Sequence, residues 1–176
     1  MNEHIKCPNY KKCGGCQLQN LPYERQLSFK QVKVIKLLGR YHRVSEIIGM
    51  KEPYHYRNKV QAAFSERKGE IISGVYQSST HNIIPVDNCL IEDEKADRII
   101  VTVRKLLKSF KLKPFNDNTM KGFLRHVLIK RGFVSGQIMV VLVTSVMDFP
   151  KESQFVNAIL ERHPEITTVV QNVNNK

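Results

Sequence analysis

The sequence predicts a mixed α+β domain, a largely antiparallel sheet with flanking helices, preceded by an N-terminal cysteine-rich loop. Three observations predict it. Asp93 to Phe110 sets Ile99, Val103, Leu106 and Phe110 at i, i+4, i+7 and i+11, the apolar stripe of a helix. Arg57 to Gln77 and Gly122 to Ser145 each hold two β-type runs folded about glycine. Lys6 to Gln17, KCPNYKKCGGCQ, gathers three of the four cysteines in a polar, loop-prone setting.

After that loop, Leu21-Pro22 opens a helix, because proline suits a first turn and Tyr23, Leu27, Val34 and Leu38 fall near one face before Gly39 ends it. Its other face carries Lys30, Lys33 and Arg40. Between Arg57 and Arg67 the alternation Val60, Ala62, Phe64 predicts a strand, Lys68-Gly69-Glu70 turns the chain, and Ile71 to Gln77 returns beside it. Asn82 to Val86 forms a third strand, which leads Cys89 back toward the N-terminal loop. The Asp93–Phe110 helix has carboxylates at its start, where the macrodipole favours them, and Lys105, Lys108 and Lys111 at its end. Gly122 to Arg131 and Gln137 to Ser145 make a hairpin closed by Gly132, Ser135 and Gly136, and the nearly all-apolar QIMVVLVTS is expected to be central. A helix from Pro150 to about Arg162 and a strand from Ile166 to Val173 complete a β-α-β unit with an expected right-handed crossover.

Composition limits the function classes. The 176 residues are 41% hydrophobic and 25% charged, enough for one globular core. No apolar stretch approaches the roughly 18 residues of a membrane span, and MNEHIKCPNY has no signal-peptide pattern. A cytoplasmic protein with no membrane partner is expected.

In that reducing compartment four cysteines are too few for a disulfide scaffold, and metal binding is the leading reading. A buried small hydrophobe is the bland alternative, and it suits solitary Cys89 better than the cluster of Cys7, Cys13 and Cys16. The spacing C-x5-C-x2-C with a lone fourth cysteine supplies four thiolates for zinc or for one iron–sulfur cluster. The three-plus-one grouping favours iron–sulfur, although it matches neither common ferredoxin run. Gly14 and Gly15 are expected to reach positive φ and bring N–H groups close to sulfur.

Charge is the second signal. With 28 Lys and Arg against 16 Asp and Glu, the net charge of +12 implies a polyanion partner. Residues 1–43 hold nine basic side chains against Glu3 and Glu24, and residues 104–132 hold nine against Asp117, whereas Asp87 to Asp97 is acidic. A single lysine in such a run is most often a solvated one; two basic blocks around an acidic one are harder to dismiss. No G-x-G-x-x-G run, P-loop or internal repeat occurs, and no histidine stands at a recognisable spacing from a nucleophile.

Four separate motifs, in order, then meet a known family. Cys-Pro-Asn-Tyr-Lys-Lys-Cys-Gly-Gly-Cys-Gln-Leu-Gln at Cys7 to Gln19, Tyr56-Arg57-Asn58-Lys59, Asp87-Asn88-Cys89-Leu90 and Leu124-Arg125-His126 resemble the cluster-bearing RNA uracil-C5 methyltransferases. The resemblance covers most of the chain. It implies that Cys7, Cys13, Cys16 and Cys89 hold a [4Fe-4S] cluster, one that air exposure removes. Residues 1–20 would be the iron–sulfur loop and residues 21–176 a central α+β RNA-binding domain. The family continues into a domain that binds S-adenosylmethionine and carries the catalytic cysteine and base, and many members begin with a small RNA-binding β-barrel. Both are expected to be absent here, so the chain reads as a fragment of a longer enzyme, inactive alone and with no catalytic residue of its own.

In the parent reaction a cysteine thiolate adds at uracil C6, C5 then attacks the methyl sulfonium, and a base removes the C5 proton. This segment would supply RNA grip, because a buried uracil must be extruded before it can react. The residues assigned to that grip are Tyr56, Arg57, Lys59, Arg125, His126, Arg131, Lys11 and Lys12. Each has a bland counterpart: a strand-edge cap for Tyr56, Arg57 and Lys59, a satisfied structural histidine for His126, a solvated turn for Lys130 and Arg131. The expected partner is RNA, ribosomal ahead of transfer RNA, and the expected state is a monomer. Two rivals stand beside this reading, a zinc-stapled basic nucleic-acid-binding protein complete in itself and a small iron–sulfur electron carrier.

Overall fold

The structure is a computed structural model that describes residues 5–175. Its elements, in order, are α1 (Tyr23–Leu38), β1 (Lys59–Arg67), β2 (Glu70–Tyr76), β3 (Ile83–Pro85), α2 (Glu94–Ser109), β4 (Leu124–Arg131), β5 (Ile138–Thr144), α3 (Glu152–Arg162) and β6 (Ile166–Val173). Every predicted helix and strand forms, with ends moved by at most a few residues. The six strands make one sheet in the order β3-β2-β1-β4-β5-β6. All neighbouring pairs are antiparallel except β5 with β6, which the α3 crossover makes parallel. The fold is therefore the expected mixed α+β, largely antiparallel, with flanking helices.

The β1–β2 turn follows from two adjacent left-handed residues, Lys68 at φ 52° and Gly69 at φ 79°, the pairing that tightens a hairpin in the sense of strand twist. On one sheet face, Val60, Ala62 and Phe64 of β1, Val127 and Ile129 of β4, and Val140 and Leu142 of β5 are buried beneath α2 and α3. The α2 stripe predicted from periodicity, Ile99, Val103 and Leu106, faces this core, and Phe155 and Ile159 of α3 close it. Phe123, Phe149, Phe155 and Phe110 run through it in two tilted contacts and one edge-to-face contact, with centroids 4.7, 5.3 and 5.2 Å apart. Such ring pairs add to what apolar burial alone contributes.

The β5 strand is interior as expected, lying between β4 and β6, and its residues alternate between buried and half-buried, so only one of its faces lies in the core. One expectation about the helices needs correction. The predicted apolar face of α1 does not enter the core at all: α1 buries no residue, and Val34 and Leu38 are 39% and 53% exposed. Tyr23 and Leu27 pack instead on the returning segment 45–50. Tyr23 Oη accepts the Met50 N–H at 2.7 Å, Gln31 Nε2 donates to the Ser45 carbonyl at 3.0 Å, and Leu27 lies against Gly49. Among the described residues no helix is long and apolar enough to cross a membrane.

Candidate functional site

The cysteine loop is built from successive tight turns. The Tyr10 N–H donates to the Cys7 carbonyl at 3.3 Å, and the Lys12 and Cys13 N–H groups donate to the Asn9 carbonyl at 2.9 and 2.8 Å. The loop lies along the β2–β3 connection, with Cys13 bridged to Gln77 and Asn9 Nδ2 donating to the Pro85 carbonyl at 3.5 Å. A Cβ on Gly14 would stand 2.8 Å from Ser78 Cβ, so this approach needs a residue without a side chain. The Gly15 N–H donates to Cys13 Sγ at 3.4 Å, the kind of N–H to sulfur contact expected of this loop. The expected positive φ is not found at Gly14 or Gly15. Their value here is small size, not handedness.

All four cysteines are free and partly buried. Cys89 sits in the turn before α2, where its N–H donates to Asp97 Oδ2 at 2.7 Å. Burial pushes the Cys89 thiol up to about 11, against the help of N–H groups at Ile91 and Glu92. Cys16 is pushed up as well, first by burial and next by the charge of Cys13. Glu92, 6% exposed, is pushed up to about 7 by burial and then by Asp97, while Arg57 opposes the shift from 3.8 Å. The Glu92 charge raises both Cys16 and Cys89, as a smaller cause than burial in each. Thiols held protonated by burial and by one another ionise when a cation compensates, which is the donor chemistry of a thiolate-held centre. Among the described residues no group of three or more Cys, His, Asp or Glu side chains is arranged to hold a metal ion.

The residues assigned to RNA divide into free and engaged ones. Tyr56 is 48% exposed and borders a cavity beside Cys16. Arg57 enters the ladder through its N–H, which donates to the Ile91 carbonyl at 2.8 Å, and its guanidinium stays half-exposed. Lys59 opens β1 opposite Lys130 of β4, both exposed. Lys11 and Lys12 are exposed on the loop, Lys11 lying 5.9 Å from the Tyr10 ring centroid.

Arg125, His126 and Arg131 are engaged within the domain. Arg125 lies 4.1 Å from the Phe115 ring centroid and pairs with Asp117 at 3.0 Å. His126 faces the Tyr76 ring edge to face at 6.2 Å, and burial lowers its pKa. Arg131 pairs with Asp93 at 2.6 Å, and Asp93 itself caps α2 by accepting the Lys95 and Ala96 N–H groups. The structure also reveals residues that sequence reasoning missed: Glu92, Asp97, Tyr23 and Tyr54. Glu92 had a readable signal, a carboxylate next to the apolar pair Leu90-Ile91 and directly before a helix cap. Tyr54 had none, since its position depends on a backbone kink at His55.

No family model matches the chain. It is 43% identical over 177 residues to an uncharacterized RNA methyltransferase of Clostridium acetobutylicum, an alignment covering 97% of this chain and 38% of that protein. Uncharacterized RNA methyltransferases of Clostridium tetani and Bacillus cereus are 40% and 39% identical, with the same coverage. Among solved structures, the Pyrococcus abyssi tRNA (uracil-54, C5)-methyltransferase in complex with S-adenosyl-L-homocysteine matches with a TM-score of 0.73 at 24% identity, over 97% of this chain and 39% of that one. That likeness shows a shared fold. The chain spans about two-fifths of the length of these relatives.

Proposed function

We propose that this chain is the iron–sulfur and RNA-gripping portion of an S-adenosylmethionine-dependent RNA (uracil-C5-)methyltransferase, acting on ribosomal RNA. Residues 1–20 would be the cluster loop and residues 21–176 the RNA-binding domain, residues 1–4 and 176 lying outside the described ones, and methyl transfer is assigned to the part of the relatives that this chain does not span. The observation that carries the reading is the alignment of 97% of the chain with proteins named RNA methyltransferases. It is supported by the net charge of +12 and by the partly buried thiols of Cys16 and Cys89, which share the influence of the Glu92 charge.

Cys7, Cys13, Cys16 and Cys89 would hold a [4Fe-4S] cluster, whose contribution is a cross-link between the loop and the turn before α2. Such a tie closes a long loop and so adds to folding stability directly. Tyr56, Arg57, Lys59, Lys11 and Lys12 contact RNA, joined by Lys130, which stands directly opposite Lys59 in the β1–β4 register. Arg125, His126 and Arg131 hold the domain's own structure, their side chains being already engaged within it.

The test is anaerobic purification with iron and sulfide quantified, alongside RNA binding measured against salt. Four irons per chain, lost together with loop stability in Cys89→Ser, is the expected result. A Cys89→Ser protein with full iron content and an unchanged melting curve would overturn the ligand set. RNA affinity that does not fall with salt would overturn the partner.

A further inference from the structure

We infer that the cavity between the cysteine loop, α1 and the segment before β1 takes a single unpaired nucleotide of an RNA strand, its base against Tyr54 and Tyr56 and its phosphate toward Lys30 and Arg57. The inference rests on the RNA-binding reading above and gives it a place. The cavity has a volume of about 290 Å³ and is walled by Tyr23, Tyr54, Tyr56, Arg57, Lys30 and Cys16, among others. That lies at the lower end of ligand-pocket sizes, roughly 300 Å³, which suits one nucleoside and leaves no room for a base pair.

The way the wall is built argues for a site. His55 lies between the two tyrosines at φ 51°, in the left-handed region that a residue with a side chain enters at a cost of order 1 kcal/mol. The kink is held from three directions: the His55 N–H donates to the Leu90 carbonyl at 2.9 Å, its Nδ1 stands 2.9 Å from the Glu92 carbonyl, and the Arg57 N–H donates to the Ile91 carbonyl at 2.8 Å. With His55 turned to the 90–92 segment, Tyr54 and Tyr56 both line the same cavity.

The cavity's polar groups are largely uncommitted. Tyr23 Oη is used by the Met50 N–H. Among the described residues the Tyr54 and Tyr56 hydroxyls make no hydrogen bond to protein and Lys30 makes no ion pair. Arg57 is held only loosely, 3.8 Å from Glu92, with its side chain 41% exposed. Two aromatic faces with two available cations are what a base and its phosphate require, and stacking of this kind contributes about 1–3 kcal/mol per base.

The experiment uses a short single-stranded RNA carrying one 4-thiouridine, cross-linked by near-ultraviolet light and mapped by mass spectrometry, with affinity measured in parallel. Cross-links at Tyr54 or Tyr56 are expected. Tyr54→Ala/Tyr56→Ala should weaken binding about 10-fold or more without changing the salt slope, Tyr56→Phe should bind as the parent does, and duplex RNA of the same sequence should not block the cross-link. Melting curves identify a double variant that has lost its fold, in which case the cross-link map of the intact protein decides. If RNA binds in a salt-dependent way but cross-links fall elsewhere, or if Tyr56→Phe binds as weakly as Tyr56→Ala, the cavity assignment fails while the RNA reading stands. An intact protein that binds no RNA at all refutes that reading instead.

Discussion

The Cys89 N–H donates to Oδ2 of Asp97 at 2.7 Å, which fastens the turn carrying the fourth thiol to the first turn of α2. Asp97 is 6% exposed, so removing its side chain leaves that N–H with no partner in a place water reaches poorly. Asp97→Ala should destabilise the protein by about 1–3 kcal/mol, and Asp97→Asn, which keeps an acceptor oxygen, by less. Denaturant melts of both variants check this; equal losses would mean that the acceptor is irrelevant.

The second prediction concerns Arg131. Its guanidinium meets Asp93 at 2.6 Å while Asp93 caps α2, so one carboxylate joins the end of β4 to the start of the helix. Arg131→Met preserves the apolar stem and removes the charge, leaving a nearly buried Asp93 without its counter-charge. A loss of about 1–3 kcal/mol in stability is expected, with RNA affinity nearly unchanged. A variant that melts normally yet loses most RNA affinity would restore Arg131 to the RNA-binding surface.

The different fates of the basic residues show what a sequence can carry. Helix and strand positions were legible wherever a period ran through them: the stripe of Ile99, Val103 and Leu106 and the alternation Val60, Ala62, Phe64 both face the core. The α1 stripe had the same period but no partner, because periodicity reports an apolar face and not what covers it. At the site, the three-plus-one cysteine pattern was readable, since a local cluster is a local fact. The pairing of Arg131 with Asp93 and the turning of Tyr54 into a cavity were not. Each joins residues distant in sequence, or depends on one dihedral at His55, and neither leaves a compositional trace.

The third prediction is a pH dependence. His163 is buried at the end of α3, its Nε2 2.7 Å from Thr102 Oγ1 of α2, and burial lowers its pKa from the ordinary 6.5. His126 is lowered for the same first reason, with Arg125 adding to it. The unfolded chain therefore takes up these protons at a higher pH than the folded one. At these two histidines the unfolded state binds more protons below about 6.5, so their contribution to stability falls as pH drops through that value toward the lower folded pKa. Glu92, pushed up to about 7, acts in the opposite sense over the same range, so the histidine part is read as the difference between urea melts of the parent and of His163→Gln, the variant losing less stability on acidification. A difference between the two that does not change with pH would contradict it.

The last prediction turns on Lys59 and Lys130. They are direct partners in the antiparallel β1–β4 register and both are exposed, so two cations face one another across the ladder. Like charges in that arrangement oppose the sheet by a few tenths of a kcal/mol, with no gain to offset it unless an anion lies between them. A phosphate of the RNA backbone is such an anion. Lys59→Gln/Lys130→Gln should therefore change two properties in opposite directions. The RNA-free protein becomes slightly more stable, while RNA binding becomes weaker and less salt-sensitive, the slope of log affinity against log salt falling by about 0.7 for each phosphate the variant no longer neutralises. An unchanged slope would mean that these lysines meet only water. A slope that fell in the Arg125→Gln variant instead would move the RNA-binding surface from this edge to the Asp117 side of the sheet, where Arg125 is now paired.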